Sequence, residues 1–113
     1  MTPAAWLASR RPVPPPALAG RLIEALGAEA HVPPADMSDV LLAASEGLLR
    51  RLLTAGRTDR QTALDLLTAD AFVTYAFEAA SDDAARITSR AQRAMTRISQ
   101  LAVEAHAQPG VVA

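Results

Sequence analysis

All eight prolines of the chain lie before Ala35 or after Gln108. The interval between them is free to run as helix, because proline is the residue that most strongly breaks one. Helical periodicity fills that interval. Its most apolar stretch is Thr62–Ala80, TALDLLTADAFVTYAFEAA, which holds both phenylalanines and the single tyrosine. The stretch contains neither Gly nor Pro, is rich in the good helix formers Ala and Leu, and is too long for one strand. At about 100° per residue, Leu66, Ala69, Val73, Ala76, Phe77 and Ala80 share one arc. Leu64, Ala71 and Tyr75 lie nearly opposite. Asp70, Thr74 and Glu78 form a narrow polar stripe, with Thr68 towards the polar side. A helix that is apolar on two sides is central to a bundle or shared between subunits. The expected fold is all-α: a small up-down bundle of three long helices plus one shorter N-terminal helix.

Punctuation residues divide the chain. Residues 1–16 read as a Pro-rich leader, in which Thr2-Pro3 caps a short turn carrying Trp6 and Leu7. It is expected to be a stiff lead-in whose Trp6 packs on the bundle, the alternative being a free docking arm for a proline-recognition partner. The first helix of the bundle is expected over Pro15–Leu26, with Leu18, Leu22, Ile23 and Leu26 as its stripe and Gly27 as its stop. Ala28–Ala35 reads as a loop. The second helix is expected over Met37–Thr54, capped by Asp36, with Met37, Leu41, Ala44, Leu48, Leu49 and Leu52 on its main face. Ala43 and Gly47 lie on a second, flatter side, where the small side chains invite close backbone packing. Thr58 and Gln61 read as a capping box that opens the third helix. Ser81-Asp82-Asp83 reads as the cap of a fourth helix ending near Ala107. One feature opposes that break: the apolar arc continues in phase through Ala84, Ile87, Ala91, Ala94, Ile98, Leu101 and Ala105. The alternative is a single helix from Asp59 to His106. The expected bundle domain is therefore 17–107, with 108–113 as a tail.

Composition excludes several classes of function. With 113 residues the chain is expected to form one domain. Half of it is apolar, much of that Ala, so helices can approach closely while each contact contributes less than Leu or Phe would. A net charge of −1 predicts no general attraction to nucleic acid or anionic membranes. The absence of cysteine removes disulfides, thiolate chemistry and Cys-type zinc sites. The N-terminal residues lack the apolar core of a signal peptide, and no run reaches the length of a membrane span, so a cytoplasmic location is expected.

Few residues suggest chemistry. Arg86, Arg90, Arg93 and Arg97 fall within about 60° of helical arc and form either a solvated face or a surface for phosphates or an acidic protein. Asp70, Tyr75 and Glu78 are the polar groups of the most apolar helix, and they define a small-molecule or catalytic alternative if buried together. Asp70 and Glu78 are two turns, about 12 Å, apart, which is too far for a paired-carboxylate site. His31 and His106 have no metal-ligand spacing, so neither a metal nor a cofactor is expected. There is no nucleophile motif and no phosphate loop, hence no basis for an enzyme. The expected function is that of an interaction or structural protein: an adaptor, regulator or assembly subunit. Self-association as a homodimer is expected through Leu64, Ala71 and Tyr75, together with Ala43 and Gly47, because one small bundle cannot cover both sides of these helices.

Overall fold

Three of the four α-helices begin where a side chain replaces a missing backbone partner. The Thr2 hydroxyl accepts from Ala5 N at 3.2 Å and opens α1 (Pro3–Ala8). The Asp36 carboxylate accepts from Asp39 N at 3.0 Å and opens α3 (Met37–Ala55). Asp59 accepts from Thr62 N at 2.8 Å and opens α4 (Arg60–Ala107). Only α2 (Pro16–Leu26) starts without such a bond, and its Pro16 needs none at the first helical position. Gly56 closes α3 in the left-handed region at φ 60°, a conformation that costs glycine no Cβ clash. These elements come from a computed structural model that describes residues 1–107. The expected tail at 108–113 lies outside the described residues. Among these, there is no strand and no helix long and apolar enough to cross a membrane. The chain divides into two units, Met1–Ala80 and Ser81–Ala113.

Three boundaries differ from expectation. Asp59, not Thr58, caps α4, because a carboxylate accepts more strongly than a hydroxyl and its charge suits a helix N-terminus. Gln61 does not reach back to complete a capping box; its amide donates instead to Asp65 Oδ1 at 3.1 Å. The expected loop after α2 contains a 3₁₀ turn, Gly27–His31, pinned by the fully buried Ala30. Most consequentially, Ser81-Asp82-Asp83 ends nothing: α4 is helical from Arg60 to Ala107, 48 residues, so the expected third and fourth helices are one. No Gly or Pro stands between Gly56 and Pro109 to force the backbone out of the helix. Ser and Asp inside a helix each cost only about 0.5 kcal/mol, whereas a new helix would have to be nucleated afresh. Asp83 is used within the helix, as the partner of Arg86 one turn on.

The first unit is built on one face of α4. Thr68, Ala69, Phe72, Ala76 and Ala79 are buried there. They share a cluster with Trp6 and Leu7 of α1, Leu22 and Leu26 of α2, and Leu41 and Leu48 of α3. The expected stripes of α2 and α3 are thus the ones that pack, except that Leu49 of α3 is exposed and Leu52 stands outside the cluster. Ser45 was not among them. It is 1% exposed, and its hydroxyl donates to the Ala69 carbonyl at 2.9 Å, which holds the α3 and α4 backbones close. Arg21 of α2 adds a half-exposed ion pair to Asp65 of α4 at 3.4 Å.

Phe72 is fully buried, whereas Phe77 is 70% exposed. Phe72→Ala should therefore cost about 3–5 kcal/mol of unfolding free energy in urea titrations, and Phe77→Ala about 0.5 kcal/mol or less. Equal losses would mean that the packed face has been misassigned. A second expectation concerns the α4 cap. Hydrogen bonds from the Thr62 amide, then from the Thr62 hydroxyl and Arg57, hold the Asp59 carboxyl down from 3.8 to about 2. A carboxyl with a depressed folded pKa supports the helix fully above its unfolded value and loses that support as pH falls through its folded value. The Asp59 carboxyl resonance should therefore titrate near 2. A midpoint at 3.8 would show the cap unformed.

Candidate interaction surfaces

The N-terminal segment supplies the first polar cluster. Trp6, on α1, meets Tyr75 of α4 edge to face, with ring centroids 6.1 Å apart at 89°. The Arg10 guanidinium stands 4.0 Å from the centre of the Trp6 ring and 4.0 Å from Glu78. Burial, and secondarily the Glu78 charge, raise the Tyr75 phenol above its ordinary 10.0, with Arg10 opposing. The arrangement is a clasp: an aromatic wall, a cation over it and a carboxylate beyond. It fastens residues 1–10 to the first unit rather than leaving them as a free arm, and Pro3, Trp6, Leu7 and Pro14 are all buried.

This clasp corrects the expected use of α4. Tyr75 and Ala71 are half-buried against the chain's own core, and Leu64 is half-buried too. The arc expected to face inward is split: Ala69 and Ala76 are buried, but Leu66 is 54% and Phe77 70% exposed. The reason is the position of Phe72, which fell on neither arc. The packed face is centred on it and takes Ala69 and Ala76 from one edge of the expected inner arc. Thr68, expected towards the polar side, is 2% exposed. Its hydroxyl donates to the Leu64 carbonyl at 2.9 Å, so it enters the core satisfied. The signal was present as Ala69-Phe72-Ala76-Ala79, a helical i, i+3, i+7, i+10 series around the larger Phe.

Ala43 and Gly47 line a groove of about 450 Å³ together with Ala25 and Val40, and with Glu29 and Arg51 for charge. A Cβ built at Gly47 would meet nothing within 4 Å. The close backbone packing expected at this glycine is therefore not made among the described residues. Asp70 and Glu78 are exposed, and Tyr75 is turned onto Trp6, so the three polar residues do not converge on one site. No group of three acidic or histidine side chains among the described residues is placed to hold a metal.

Arg86, Arg90, Arg93 and Arg97 all lie in the second unit and are all exposed, Arg86 paired with Asp83. The larger surprise is around them. Every described side chain from Ala84 onwards is exposed, including Ile87, Met95, Ile98, Leu101 and Val103 at 60–68%. The same phase that reads in the sequence as a continued core face has nothing packed on it. No protein-family model matches the chain, and no match to it is found among curated proteins or among solved structures.

Because the chain has one tyrosine, the clasp can be read directly. Ultraviolet titration should place the phenol above 10.0 in the wild type. Trp6→Ala should return it towards 10.0, since burial is the main cause of the rise. The same substitution should cost about 3–5 kcal/mol of stability. An unchanged tyrosine titration would show that Trp6 does not shield the phenol.

Proposed function

We propose that this protein is a small helical interaction or structural protein, an adaptor, regulator or assembly subunit of the cytoplasm, that works through self-association and protein contacts. The observation that carries this reading is the uncovered apolar content of the second unit, where Ile87, Met95, Ile98 and Leu101 are each at least 60% exposed. Soluble proteins rarely leave contiguous apolar surface open unless a partner covers it. A long amphipathic helix also draws most of its stability from packing that apolar side, not from intrinsic propensity. The dimer is the simplest way to bury it, since one patch then meets its own copy. The open groove at Ala43 and Gly47 offers a further contact surface. Sedimentation equilibrium across micromolar concentrations is expected to show a dimer. A monomer at every concentration would overturn self-association.

A second reading is favoured by the four exposed arginines: contact with nucleic-acid phosphates. Four such contacts would give a log–log salt slope of about −3.6 for binding to random duplex DNA. The expected result is no such slope, given the net charge of −1. A slope near that size, flattened by Arg90→Ala with Arg93→Ala, would favour the nucleic-acid role instead.

A further inference from the structure

We infer that the second unit pairs with a second copy of itself as a parallel, in-register, two-stranded coiled coil along Ala84–Ala105. The inference rests on the self-association proposed above and names its surface, geometry and direction. Three observations carry it: spacing, exposure and charge.

The spacing is that of a heptad. Ala84, Ile87, Ala91, Ala94, Ile98, Leu101 and Ala105 follow one another at three, four, three, four, three and four residues. This alternation averages 3.5 residues, the period that keeps one stripe facing a partner helix, and it runs unbroken for three heptads. A lone surface helix packed on a globular core needs no such strictness. In sequence the same phase reaches back through Ala80, Phe77 and Val73 to Asp70, a charged residue in a seam position that marks its limit. All seven seam residues of the second unit are exposed in the single chain. With four alanines among seven, two such seams can approach closely. The β-branched Ile98 at an a position and Leu101 at the following d position favour two strands.

The charges choose the partner and its direction. Flanking the seam at the g positions are Asp83, Arg90, Arg97 and Glu104, while the e positions hold Thr88, Met95 and Ala102. In a parallel in-register pair, each g residue meets the e residue five further along on the other copy. Asp83 then meets Thr88, Arg90 meets Met95, and Arg97 meets Ala102. No like charges touch, and the arginine stems can lie over the apolar partner side chains. In a fully overlapped antiparallel pair, g residues meet g residues. Two registers overlap the stripe equally: one sets Asp83 against Glu104 and Arg90 against Arg97, and the other pairs Arg90 with Glu104 but sets Arg97 against its own copy. Of these arrangements only the parallel in-register pair brings no like charges together. This placement also divides the arginine stripe: Arg90 and Arg97 flank the seam, and Arg86 and Arg93, at c positions, point away from it.

The native absence of cysteine makes the test direct. Ala84→Cys and Ala105→Cys each place a single thiol at an exposed seam position, one at either end. Under mild oxidation of the full chain at dimer-forming concentration, each variant alone should link to its own copy, because facing seam positions lie within disulfide reach. The two variants mixed should give no excess of the mixed product, the ends being about 30 Å apart along the helix. Linking only in the mixture would show an antiparallel pair and overturn the inference. A dimer in sedimentation with neither variant linking would place the contact on another face, overturning this inference while leaving self-association intact. A monomer throughout would overturn both. As an independent check, Ile98→Glu should weaken dimerisation roughly a hundredfold, the loss expected when two large apolar side chains leave a buried seam. Unaltered association would also refute the inference.

Discussion

The first unit depends on how near α3 and α4 come to each other at Ser45. Its hydroxyl reaches a backbone carbonyl, that of Ala69, so no bulky side chain stands between the two helices there. Ala69, Ala76 and Ala79 keep the approach open along α4, and Phe72 fills the space to one side. Once that contact is fixed, the remaining parts have one place to go. Leu22 and Leu26 of α2 and Leu41 and Leu48 of α3 close over Phe72, while Trp6 and Leu7 seal the cluster from the N-terminal side. An alanine contributes about a third of what a buried Leu does, about 1 against 2–3 kcal/mol. A core rich in Ala is therefore held by closeness of backbones and by a few large residues, and it tolerates the loss of one of those poorly.

Much of this was legible in the sequence. The all-α class follows from where the prolines lie. The inward stripes of α2 and α3 follow from Leu at helical spacing, and the stops follow from Gly27 and Gly56. What escaped had a common cause: residues whose meaning is set by tertiary context. Ser45 looks like a solvent residue until a carbonyl is placed beside it. Thr68 looks polar until its hydroxyl is spent on Leu64. Ser81-Asp82-Asp83 looks like a cap, but a cap acts only where the backbone leaves the helix, and nothing there makes it leave. On α4, two apolar arcs were visible, and periodicity alone could not choose between them. Phe72, the residue that decides, sits between them in phase.

The candidate sites divide in the same way. The arginine stripe is exposed as its periodicity implied, because four charged side chains on one side of a helix have no other low-energy place. The clasp of Trp6, Arg10, Tyr75 and Glu78 was not legible, since it joins residues far apart in sequence through a ring contact and a cation over a ring. It is also what removes Tyr75 from the outer surface. An edge-to-face pair of this kind contributes about 0.5–1.5 kcal/mol beyond the area it buries, enough to decide which of two comparable apolar arcs a short N-terminal helix will cover.

That choice has a consequence for the rest of α4. By covering the Tyr75 side, α1 leaves the Leu66–Phe77 side open, and that is the arc whose phase continues into Ala84, Ile87 and Ile98. A helix whose packed face simply ended with its own core would have no reason to keep an apolar period beyond Ala80; its later residues would drift to polar on all sides. Here the period continues instead. The residues flanking it, Asp83, Arg90, Arg97 and Glu104, are spaced by sevens, so the charges keep the same register as the apolar stripe. Two independent patterns locked to one repeat imply one surface that both must serve, and a solvated helix needs neither. The first unit buries Phe72 and the residues around it within its own chain; the second carries a regular apolar pattern that no described residue covers.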